Sequence, residues 1–191
     1  MLIRDVAGSV CPYCGINRPG TIDHFAPKER FPEFSVYPIN LIQCCGECNT
    51  RKDEDLAENG NRLFLHAYLD TIPPQSKCLR AVIDWAGGSA TFTFFLAWDP
   101  NVPLDTFCVI AEHVARLHLL EIYSEIAGEE FNQGVDWIHE NDSPADIVNR
   151  VTHNLSQKRL KEGPLSWRAA VWEAVLASPE SLDYLLLGTL P

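Results

Sequence analysis

Two Cys-x-x-Cys pairs, Cys11-Pro-Tyr-Cys14 and Cys45-Gly-Glu-Cys48, flank one loop-rich stretch near the start of the chain. Each pair forms a tight knuckle, and two knuckles offer four soft thiolates in the tetrahedron that zinc prefers. The cysteine total of seven is odd, and in a reducing compartment such pairs read as metal ligands rather than disulfides. A thioredoxin-like redox pair is the competing reading; two pairs around one loop argue against it. Cys44 offers a second register through Cys44-x-x-x-Cys48, but the repeated two-residue spacing favours Cys45. Cys44, Cys78 and Cys108 are then expected to be ordinary buried thiols.

The stretch holding these pairs is rich in Cys, Pro and Gly and poor in long apolar runs, so it needs a metal to hold it together. Within it, "GTIDHF" and "INLIQCC" read as short strands, and "ECNTRKDEDLAENG" as a helix that starts after the second knuckle and ends near Gly60. That order is a ββ-hairpin packed on an α-helix. "NRLFLHAYLD" reads as a second short helix stopped by "IPPQ". "CLRAVIDW" and "TFTFFLAW" flank "AGGSA" as a β-hairpin. Beyond it the periodicity is helical: one long or broken helix from "PLDTF" to "WIHEN", a helix capped by Ser143 with Pro144 at its first position, and two more in "LSWRAAVWEAVLAS" and "PESLDYLLLG". The expected fold class is α+β, mostly α. A zinc-stapled ββα-metal module in residues 1–58 precedes a small β-hairpin and a mostly helical body in residues 59–191, the latter a candidate partner-docking region. No apolar run reaches the roughly 18 residues of a membrane span, and "MLIRDVAGSV" lacks the apolar core of a secretory signal. A cytoplasmic protein without membrane contact is expected.

The dipeptide Asp23-His24 lies between the knuckles, Asn40 opens the second strand, and Asn49 directly follows Cys48. Asp23 is a hard oxygen ligand suited to Mg²⁺ or Mn²⁺. Strand neighbours alternate faces, so His24 points the other way, and a neutral imidazole near pH 7 is a good general base for water. Zinc at Cys48 fixes where the Asn49 amide points, which makes it a candidate second ligand of a catalytic ion; a helix cap is its alternative role. Asn40 is placed to hydrogen-bond across the loop and hold the His24 backbone. Lys28, Arg30, Arg51 and Lys52 are candidate phosphate contacts. His66, His113, His118, His139 and His153 show no ligand spacing and read as structural or surface residues. The basic stretch "QKRLKEGPLSWR" reads as a solvated helix end in preference to its alternative, a nucleic-acid contact.

The ordered set "C-x-x-C … D-H-F-x-P-K … N-L-I … C-x-x-C-N-x-x-K" resembles the HNH (His-Me finger) nucleases over residues 8 to 55, with Asn49 where many members carry histidine. The resemblance implies one divalent ion, Mg²⁺ or Mn²⁺, held by Asp23 and Asn49, with His24 as general base. It also implies in-line attack of water on a phosphodiester, the ion stabilising the leaving oxygen. "DHFAPKERFPEFSVYPINLIQCC" with "RLHLLEIYSE" looks more weakly like the small HNH subunits of Septu-type and retron-linked bacterial anti-phage systems, which work with an ATPase.

Charge bears on the partner. The net charge is −11, the wrong sign for gripping nucleic acid by broad electrostatics. The leading expectation is a metal-dependent endonuclease, acting on DNA, whose substrate is brought by a partner such as an ATPase. The alternatives are a non-catalytic zinc-stapled interaction module and an RNA-cleaving enzyme of the same type.

Overall fold

Side-chain alternation governs the N-terminal hairpin. In the computed structural model, which describes residues 10–86, 89–135 and 142–187, β1 (Thr21–His24) pairs antiparallel with β2 (Leu41–Cys44). Asp23, Ile42 and Cys44 are buried on one side, whereas Ile22 and Gln43 are exposed on the other. Helix α1 (Gly46–Lys52) follows, with Cys48 and Lys52 buried four residues apart on its inward stripe.

The expected extension of α1 to Gly60 does not occur. The helix stops at Asp53, whose φ is 46°, and Asp53, Glu54 and Asp55 crowd acidic charge against the negative end of the helix dipole. A two-residue turn with positive φ at Asn59 and Gly60 instead joins β3 (Ala57–Glu58) to β4 (Asn61–Arg62). The helix expected in "NRLFLHAYLD" is absent too. Leu63, Phe64 and Leu65 are buried in succession, which no single helical face allows.

The 191-residue chain divides into two units. The first runs to Ser76 and takes in Trp98–Leu119; the second holds Lys77–Ala97 and the chain from Leu120 onward. This differs from the expected division at residue 58, for a physical reason. The four-cysteine module has little core of its own, and Leu63, Phe64, Leu65 and helix α2 (Leu104–Arg116) supply it. From α2, Ile110, His113 and Val114 are buried at helical spacing. His118, with φ 54°, separates α2 from α3 (Leu119–Val135).

In the second unit β5 (Leu79–Ala86) pairs antiparallel with β6 (Ser89–Leu96), as the sequence predicts. Helices α4 (Pro144–Glu162), α5 (Trp167–Ala177) and α6 (Pro179–Leu187) follow α3. The cap is the expected one: Ser143 and Asp146 form a reciprocal capping box with Pro144 in the first turn. Helix α5 buries seven side chains, among them Trp167 and Trp172, and packs on β5. The fold class is therefore α+β with helices predominating. No described helix is long and apolar enough to cross a membrane.

Gly134 is packed closely against Trp172, since a Cβ there would lie 1.9 Å from Cζ2 of that ring. Gly134→Ala should lower stability by about 2 kcal/mol, within the range for overpacking. An unchanged denaturant midpoint would contradict this packing.

Candidate active site and metal centre

The four expected thiol ligands come together. Sγ atoms of Cys11, Cys14, Cys45 and Cys48 all lie within 4.8 Å of one another, and all four residues are buried. The Cys14–Cys45 sulfur separation is 4.0 Å, close to the roughly 3.8 Å between tetrahedral ligands that each sit about 2.3 Å from zinc. Local backbone builds the knuckles: Gly15, with φ 66°, donates its N–H to the Cys11 carbonyl, and the Cys45 sulfur caps α1 by accepting from the Cys48 N–H. Hydrogen bonds from Cys14 and Cys48 pull the Cys11 thiol down to about 2, while sharing with Cys11 pushes Cys14 up to about 12 and raises Cys48. Crowded thiols that must share protons in this way suit a divalent cation, and the donor set fits structural zinc. Cys44 is outside the cluster, and burial pushes its thiol up to about 11. Cys78 is buried as expected, but Cys108 is exposed; its place on the outer side of α2 gives it no cover.

Asp23 is 3% exposed, and each of its oxygens has a donor. The Tyr13 hydroxyl donates to Oδ2 at 2.6 Å, and Lys52 Nζ donates to Oδ1 at 3.2 Å. Burial holds the Tyr13 phenol protonated, well above its usual range. Lys52 is fully buried, with its ammonium over the rings of Phe25 and Phe64. One expectation is corrected here. Lys52 cannot reach a phosphate, because its charge is spent inside. Asp23, expected as a metal ligand, stands at a cleft with the Lys52 ammonium against its Oδ1. Stripping one partner from a buried pair of this kind costs about 3–5 kcal/mol.

Asp23, His24 and Asn49 line one cleft of about 490 Å³, together with Lys28, Glu29, Asp53 and Glu54. His24 Nε2 lies 3.0 Å from the Ser35 carbonyl oxygen. A carbonyl only accepts, so in the neutral ring Nε2 carries the proton and Nδ1 keeps the basic lone pair. Asn40 is buried and binds the loop from inside. Its Oδ1 accepts the Ala26 N–H at 2.7 Å, and its Nδ2 donates to the carbonyls of Ala26 and Phe34. The Phe25 N–H also donates to the Asn40 carbonyl. These bonds hold both ends of the loop that carries Ser35, and so set the His24 ring.

The other expected contacts divide. Lys28 is exposed at the cleft beside Glu29. Arg30 stacks its guanidinium over Phe31, and Arg51 donates to the Leu117 carbonyl at 2.6 Å. His113 is buried as a neutral ring, held below its usual range by desolvation; its Nε2 meets the Tyr13 carbonyl at 2.9 Å and its Nδ1 accepts the Leu65 N–H. His66 is also buried and pushed down by desolvation, His153 is exposed, and His139 lies outside the described residues. The basic stretch in the second unit is not a solvated helix end. Lys158 and Arg168 pair with the buried Glu130, and Arg159 pairs with Glu173. Tyr13 is the site residue without a sequence signal beyond its position inside the first knuckle.

Over 66 residues the chain is 42% identical to protein ea31 of Escherichia phage lambda, a stretch that is 34% of this chain and 22% of that protein. The chain thus spans well under two thirds of this curated relative. No protein-family model and no solved structure matches the chain.

Purified protein should hold about one zinc per chain. Cys48→Ser should lower zinc content and thermal stability together, because metal binding here is folding energy. Complete loss of zinc at an unchanged melting temperature would contradict the assignment.

Proposed function

We propose that the first unit is a metal-dependent endonuclease of the HNH type, hydrolysing phosphodiester bonds of DNA. The observation that carries this reading is the shared cleft of His24 and Asn49, with the His24 ring turned by Ser35 so that Nδ1 is its basic atom. A non-catalytic zinc module has no use for an oriented imidazole facing an open cleft beside an amide.

In this reading Nδ1 of His24 takes a proton from water as the water oxygen bonds to phosphorus. The phosphorus–oxygen bond to the departing nucleotide breaks, its oxygen takes a proton from solvent, and the proton on His24 passes to solvent afterwards. Asn49 would hold a divalent ion, with Asp53 and Glu54 of the same cleft adding negative potential. That ion, when bound, stabilises charge on the leaving oxygen. Asn40 keeps the His24 loop closed, and Lys28 at the cleft is the basic side chain placed to meet a phosphate. A net charge of −11 gives the free chain little grip on a polyanion, so delivery by a partner subunit, such as the ATPase of an anti-phage system, belongs to the same reading.

The test is cleavage of supercoiled plasmid and of RNA with Mg²⁺ or Mn²⁺, and with chelator. His24→Ala should lose cutting by roughly 100-fold or more, as removal of a general base does, while zinc content and melting temperature stay near wild type. Cutting retained at the wild-type rate by His24→Ala removes it as the base. RNA cut in preference to DNA moves the substrate, not the chemistry.

A further inference from the structure

Hydrolysis as described makes no use of three buried polar groups, the Tyr13 phenol, the Asp23 carboxylate and the Lys52 ammonium. They form one chain of contacts. Tyr13 donates to Asp23 at 2.6 Å, Lys52 donates to the other Asp23 oxygen at 3.2 Å, and Lys52 also reaches the His24 carbonyl at 3.4 Å. Both ends of this chain are tied to the thiol cluster. Tyr13 sits between Cys11 and Cys14, and Lys52 lies one helical turn beyond Cys48 on the buried stripe of α1.

We infer that Tyr13, Asp23 and Lys52 are positioning residues that fix the His24 backbone at the cleft from the zinc knuckles, and that Asp23 serves here rather than as a ligand of the catalytic ion. The inference rests on the nuclease reading for its kinetic consequences. Three observations carry it. Each Asp23 oxygen already accepts a hydrogen bond from a buried donor. The Lys52 ammonium is fully buried under Phe25 and Phe64 and has no solvent to retreat into, so a divalent ion on the same carboxylate would face an immovable like charge. The peptide that Lys52 holds belongs to the residue whose ring is turned by Ser35, so a shift of that peptide moves Nδ1 directly. Misplacing a reacting group by about 1 Å costs on the order of 100-fold in rate.

The experiment uses the zinc-loaded full chain with Tyr13→Phe, which keeps the ring and removes one donor, and Asp23→Asn. Plasmid cleavage is followed across a Mn²⁺ titration, and the His24 ring nitrogens are observed by NMR at one fixed pH. Positioning predicts that both variants keep their zinc and lower kcat by roughly 10- to 100-fold. KM and the Mn²⁺ concentration for half-maximal rate should not change, and the His24 ring signals should move. The double variant should be little worse than Asp23→Asn alone, since one chain of contacts is cut twice. Recovery of the wild-type kcat by Asp23→Asn at high Mn²⁺ would overturn the inference and return Asp23 to the ion. A wild-type kcat with unmoved His24 signals in Tyr13→Phe would overturn it as well. If the wild-type chain cuts neither DNA nor RNA, the nuclease reading falls, and the His24 signals alone decide the network: moved in both variants they support it, unmoved they overturn it.

Discussion

Four buried sulfurs join the beginning of the first unit to the start of helix α1. Cys11 and Cys14 lie before the β1–β2 hairpin, and Cys45 and Cys48 directly after it. A hairpin of two four-residue strands has too little apolar surface to hold itself. Clamping its two ends fixes the hairpin against the helix, and every other contact of the site presupposes that clamp. Tyr13 reaches Asp23 because the first knuckle is closed, and Lys52 reaches Asp23 because the second knuckle starts the helix in the right phase. Asn40 then closes the remaining loop from within.

The protein's cations are largely spent on its own carboxylates and carbonyls. Lys52 neutralises Asp23 in the first unit, where Arg116 also bridges Asp55 and Glu58. In the second unit Lys158 and Arg168 converge on Glu130, which also accepts the Trp172 indole N–H. Basic residues used this way position structure and contribute little to a polyanion interface. For the proposed chemistry the consequence is a cleft that can orient a phosphodiester but attracts it weakly, which separates substrate capture from catalysis.

The sequence made the thiol cluster legible, since paired spacing is a local signal that needs no tertiary knowledge. The strands around His24, the β5–β6 hairpin and the Ser143-Pro144 helix start were legible for the same reason. Where the reading departed from the fold, a competing local signal was present. Asn59-Gly60 is the mark of a two-residue hairpin turn, and the acidic run after Lys52 opposes helix extension; helical propensity in "DEDLAENG" obscured both. Asp23 and Lys52 were different. Each is a residue type normally found at the surface, and only the three-dimensional arrangement shows that they neutralise one another inside. Likewise the pairing of Lys158, Arg159 and Arg168 with glutamates on other helices has no local sequence signal.

Anomalous diffraction at the manganese edge, from crystals of the zinc-loaded chain soaked in Mn²⁺, addresses the site most directly. The account predicts a manganese peak in the cleft at Asn49, on the side where His24 presents Nδ1, with Asp23 still bonded to Tyr13 and Lys52. A peak on the Asp23 carboxylate with Lys52 displaced, or no peak in the cleft at saturating Mn²⁺, would contradict it.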